Sequence, residues 1–109
     1  MERYITTILN AIISKTPRLT GLKFIPETTI AIADVKQSAG HKVKISVLPF
    51  DNGNVKVELF DTKGFKCDAL FTHEYYANNY NGNYSEIGTA VAEFIDSILG
   101  PYNETEHHA

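Results

Sequence analysis

Ile5, Ile8, Leu9, Ile12 and Ile13 recur at the spacing that gathers apolar side chains into one stripe of a helix. Thr6, Thr7, Asn10 and Ser14 fill the opposite face. Pro17 ends the pattern, because the residue before a proline is pushed out of the α region. Residues 18–28, which include Gly21 and Pro26, read as an irregular connector tacked to the core by Phe24 and Ile25.

The period then changes from helical to two. Strands are expected over residues 29–36, 41–50, 54–60 and 65–75. Val43, Ile45 and Val47 alternate with lysine and serine, Val55, Val57 and Leu59 with lysine and glutamate, and Phe65, Cys67, Ala69 and Phe71 with Lys66, Asp68, Leu70 and Thr72. Such alternation marks antiparallel strands with one buried face. A second apolar stripe, Ile87, Val91, Phe94, Ile95, Ile98 and Leu99, predicts a helix with Ser85 as its N-cap and Gly100-Pro101 as its stop.

Turn chemistry sets the register, since a slip of one residue exchanges the two faces of a strand. A three-residue loop over Asp51-Asn52-Gly53, with Gly53 left-handed, pairs Val47 with Val57 and Ile45 with Leu59. The same reasoning at Asp61-Thr62-Lys63-Gly64 pairs Leu59 with Cys67 and Val57 with Ala69, and a four-residue loop over residues 37–40 pairs Ile32 with Ile45. The expected fold is α+β: a two-layer sandwich in which a four-stranded antiparallel meander carries the N- and C-terminal helices on one face, in the order α-β-β-β-β-α. Residues 1–101 form its single domain, and 102–109 a flexible polar tail.

Two helices cover one sheet face and leave the other open. Its rows are expected to be Lys44-Phe60-Lys66, Ser46-Glu58-Asp68 and Leu48-Lys56-Leu70. Leu48, Phe50, Phe60 and Leu70, with Ala33 and Val35, make this face more apolar than a monomer needs. Such a patch, rimmed by charge, suits a homodimer contact or the docking of another protein. As an alternative, Lys44, Lys56 and Lys66 around Phe60 have the makings of a stacking platform for single-stranded nucleic acid. Glu58 opposite Asp68 opposes that reading, and two carboxylates are too few for a dedicated metal site.

Composition sharpens the picture. The 109 residues carry ten Lys+Arg and thirteen Asp+Glu, a net charge of −3, with 43% hydrophobic residues, as in an ordinary globular domain. All ten basic residues precede Cys67, and from Cys67 onward seven acids stand without a single Lys or Arg. Glu86 and Glu93, seven residues apart on the second helix, form a ridge suited to a partner with a basic surface. Residues 76–84 interleave Tyr76, Tyr80 and Tyr84 with Asn78, Asn79, Asn81 and Asn83, the mixture of rigid rings and versatile amides found in adaptable recognition loops.

The apolar runs are too short to cross a bilayer, no basic leader precedes them, and the lone Cys67 suits a reducing compartment, so a cytoplasmic protein without a membrane span is expected. Cys67 reads as a small core residue and His73 as an inward-facing one at the core's edge. No glycine-rich phosphate loop or spaced ligand set is present, and no cofactor or metal is expected. The pattern suits a small non-enzymatic binding protein: an adaptor, inhibitor or assembly subunit.

Overall fold

The computed structural model describes residues 3–99. The expected tail, residues 102–109, and the Gly100-Pro101 stop lie outside them. Helix α1 (Arg3–Lys15) is followed by strands β1 (Leu19–Phe24), β2 (Ile30–Val35), β3 (His41–Pro49), β4 (Val55–Lys63) and β5 (Lys66–Tyr75), then helix α2 (Tyr84–Leu99). The strands form one antiparallel sheet in the order β1-β2-β3-β4-β5. The architecture is the expected α+β sandwich with one more strand.

That strand comes from the connector. Leu19–Phe24 pairs with β2 across a register break between Thr20 and Lys23, where Gly21 takes φ +64°. One left-handed glycine and a bulge erase the period of two over six residues, so the sequence pattern hides this strand. Leu19 is buried, whereas Phe24 is 41% exposed and does not anchor the core.

The core lies between the helices and the sheet. Ile5, Ile8, Leu9 and Ile12 of α1 and Ile87, Val91 and Ile95 of α2 close over Val43, Ile45, Val47, Val55, Val57 and Leu59. The helices meet at Gly88, where an added Cβ would lie 2.5 Å from the Ala11 Cβ and 2.7 Å from the Ile8 carbonyl oxygen. The cap of α2 is Asn83: its Oδ1 accepts from the Ser85 backbone N–H at 3.2 Å and the Ser85 hydroxyl at 2.7 Å, so Ser85 lies inside the helix.

The β3–β4 register is the expected one, with Val47 opposite Val57 and Ile45 opposite Leu59. A 3₁₀ turn over Asp51–Gly53 joins these strands, with both Asn52 and Gly53 left-handed.

Two other registers are corrected. Ile32 lies opposite Lys44 and Ala33 opposite Val43, so Ala31, Ala33 and Val35 face the helices and Ile30, Ile32 and Asp34 the open side. Ala33 and Val35 therefore leave the exposed patch. The connecting loop has five residues, 36–40, because the Lys36 N–H turns away to the Arg18 carbonyl at 2.7 Å. Asp34 explains the choice: it shares a face with Ile32, and only the open side lets it pair with Lys42.

In the second case β4 runs on to Lys63, and Gly64-Phe65 alone form the turn, pairing Lys63 with Lys66. Leu59 lies opposite Phe71 and Phe60 opposite Ala69, which makes Leu70 the extra residue of a bulge. Cys67 is exposed instead of buried, and Phe65 projects fully into solvent at the turn. The strands from Asp61 to Ala69 contain no buried residue, so the alternation of Phe65, Cys67 and Ala69 marks a strand without fixing its register.

Candidate functional site

Three surfaces contain the residues selected from sequence. The first is the open sheet face. Lys44 faces Phe60, Ser46 faces Glu58 and Leu48 faces Lys56, as expected. The third column differs: Ala69, Thr72 and Glu74 stand where Lys66, Asp68 and Leu70 were expected. Leu70 packs against the core, Lys66 lies at the hairpin turn, and Asp68 faces Asp61 instead of Glu58. Leu48, Lys56 and Phe60 are half-buried. The Lys44 ammonium lies 4.9 Å from the centre of the Phe60 ring and covers the surface on which a base would stack. Phe50, 44% exposed, precedes the 3₁₀ turn at the end of β3.

The second surface is the loop between β5 and α2. A 3₁₀ turn over Ala77–Tyr80 and a left-handed Asn81 organise it, and the Asn54 side-chain oxygen accepts from the Ala77 N–H at 2.9 Å. Tyr84 stacks on Tyr4 with ring centres 4.8 Å apart and donates its hydroxyl hydrogen to the Gly53 carbonyl at 3.0 Å. Tyr80 packs against the core beside Tyr75. Two of the three tyrosines thus hold the loop down. Tyr76 remains 49% exposed and donates to Glu74 at 3.0 Å, and that carboxylate raises the Tyr76 pKa above its ordinary value.

The third surface combines β5 with the outer flank of α2, and the sequence reading missed most of it. β5 pairs only with β4 among the described residues, leaving its other edge open. Phe94 and Ile98, assigned to a buried stripe, are each 38% exposed. A signal was available: the six apolar positions of α2 span about 140° of the helix at 100° per residue, wider than the stripe a single contact needs. Phe94 lies against Phe71, with ring centres 4.1 Å apart. From there a row of rings follows β5: Phe71 to His73 at 5.9 Å, His73 to Tyr75 at 4.7 Å and Tyr75 to Tyr80 at 6.0 Å. His73 faces the helix side as expected but is exposed, because β5 is the edge strand among the described residues. At the end of the row a cleft of about 510 Å³ is lined by His73, Tyr75, Tyr76, Asn79 and Tyr80, with Lys56 as its only cation. Glu86 and Glu93 are exposed on α2. Asp96, partly desolvated on the same helix, has a raised pKa.

A fourth cluster was not anticipated. The His41 Nδ1 lies 3.1 Å from the Ser38 hydroxyl, and its Nε2 contacts the Asp61 carboxylate. Serine, histidine and carboxylate are present, but Ser38 is only three residues from His41, and the His41 N–H bonds the Ser38 carbonyl in the same turn. The cluster closes loop 36–40 and fastens it to β4. Among the described residues no group of three His, Cys, Asp or Glu side chains is placed to hold a metal, and no helix is long and apolar enough to cross a membrane.

No family model, curated protein or solved structure matches this chain. Its surfaces are therefore read on their own chemistry.

Proposed function

We propose that this chain is a non-enzymatic binding protein, working as an adaptor, inhibitor or assembly subunit through the surface shared by β5, α2 and residues 76–80. One observation carries the reading: Phe94, packed on Phe71 of an edge strand with no partner among the described residues, stays exposed, as does Ile98 four residues further along α2. Exposed apolar side chains rimmed by charge, as here by Glu86 and Glu93, suit a surface that another protein covers. The partner presents a basic surface, since no Lys or Arg follows Lys66 in the chain. A cytoplasmic setting fits the exposed, unpaired Cys67.

Self-association through the open sheet face has less support. Of the apolar residues that suggested it, Leu70, Ala33 and Val35 pack on the helix side. Nucleic-acid binding is weaker for a related reason, because Lys66 is remote from Phe60 and Lys44 covers the ring.

The test is affinity purification of the tagged chain from its native host, with wild type compared against Ile98→Lys and Glu86→Lys/Glu93→Lys. A stoichiometric partner retained by wild type and lost by both variants supports the reading. A chain that purifies alone, or variants that keep the partner in full, overturn it.

A further inference from the structure

We infer that the partner docks as an extended, Lys- or Arg-bearing segment that adds to β5 as a sixth strand over Phe71–Tyr75. The inference rests on the proposed binding role and specifies its chemistry. Its first support is the contrast between the two sheet edges. β1 has six residues, a register break and a left-handed glycine, and it carries Lys23. These are the devices by which proteins keep an edge from pairing. Over Phe71–Tyr75, by contrast, β5 pairs regularly with Val55–Leu59 and contains neither proline nor lysine. Five residues of free edge match the length of an ordinary strand, about 17 Å.

The second support is what an added strand would meet. On the helix side, Phe94, Phe71, His73, Tyr75 and Tyr80 form a continuous row of rings, whose faces attract cationic side chains. On the open side it would lie beside Glu74, which faces Lys56 of β4 and accepts from the Tyr76 hydroxyl, and an opposite charge in the added strand would pair with its other side. Glu86 and Glu93 extend the negative field along α2. Main-chain hydrogen bonds would supply affinity while alternate side chains supply selectivity, as in other strand additions.

Charge also decides against a second copy of this chain. Two β5 strands paired about a two-fold axis near His73 would bring Glu74, Glu86 and Glu93 of both copies together, with Lys66 outside the paired segment.

The probe is a capped synthetic peptide of alternating arginine and valine, titrated into the full-length isotope-labelled chain with amide exchange as readout. Two control peptides keep its length: one has alternate backbone nitrogens methylated, the other has glutamate for arginine. The arginine peptide should bind and slow exchange of amides within Phe71–Tyr75. Methylation should weaken binding by about tenfold or more, the effect of losing roughly 1.4 kcal/mol of hydrogen bonding. The glutamate peptide should not bind, and Glu74→Lys and His73→Ser should each weaken the arginine complex. Equal binding of the methylated peptide, protection that maps elsewhere, or no binding by the arginine peptide each overturns strand addition. If the arginine peptide fails while a native partner is still lost from Ile98→Lys, the binding role stands and only the strand mode falls.

Discussion

The Tyr84 hydroxyl donates to the Gly53 carbonyl at 3.0 Å, tying the first turn of α2 to the β3–β4 connection thirty-one residues away. The ring also stacks on Tyr4 of α1, so one side chain links three elements. Tyr84→Phe keeps the stack and removes only the bond, and should cost about 1 kcal/mol. Tyr84→Ala also removes the stack and should cost about 3 kcal/mol. Urea unfolding checks both; equal midpoints for wild type and Tyr84→Phe would show that the bond contributes nothing.

Gly88 is the point of closest approach between the helices. Elsewhere in a helix, glycine to alanine stabilises by up to about 1 kcal/mol through reduced backbone freedom. Here the added methyl would meet the Ala11 Cβ and the Ile8 carbonyl at distances no real contact shows. Gly88→Ala should therefore destabilise by about 1–3 kcal/mol, the range for overpacking. The double variant Gly88→Ala/Ala11→Gly should recover part of the loss, because it returns the volume across the same contact.

Burial raises the Tyr75 pKa to about 12, with the neighbouring Tyr80 as the lesser cause. An unfolded tyrosine ionises near its ordinary value of 10.0, so above it the unfolded chain releases a proton that the folded chain keeps. Stability should fall as pH rises from about 10 toward 12, by roughly 2 kcal/mol in all. Titration at the phenolate absorbance should show a late tyrosine near 12 that disappears in Tyr75→Phe, and that variant should lose its share of the alkaline slope. A flat stability profile over this range contradicts the shift.

The parts legible in the sequence are those where burial writes a period. Val43, Ile45 and Val47 against Val55, Val57 and Leu59 were placed correctly because every second residue is apolar under the helices. The face of β2 is ambiguous in the sequence because Ile30-Ala31-Ile32-Ala33 is apolar on both parities, and only Asp34 breaks the tie. β1 was missed because a bulge interrupts it, and the outer half of the β4–β5 hairpin was given the wrong register because nothing from Asp61 to Ala69 is buried. The surface along β5 and α2 was the least legible. Exposure of Phe94 and Ile98 depends on where the sheet ends, and that depends on the total strand count and not on any local pattern.

Cys67 provides a chemical test of that hairpin. Had Leu59 paired with Cys67, the thiol would lie under α2 and react only when the chain opens. With Leu59 opposite Phe71 and the bulge at Leu70, Cys67 pairs with Thr62 and is exposed. It is the only cysteine, so one disulfide-exchange reagent reports on one site. The native protein should release one equivalent of chromophore, at a rate close to that of the urea-unfolded chain. A buried thiol would react more slowly by a factor near the folding equilibrium constant, typically 10³ or more. The two registers therefore differ by orders of magnitude in a measurement that needs no variant, and slow labelling under native conditions would return Cys67 to the core.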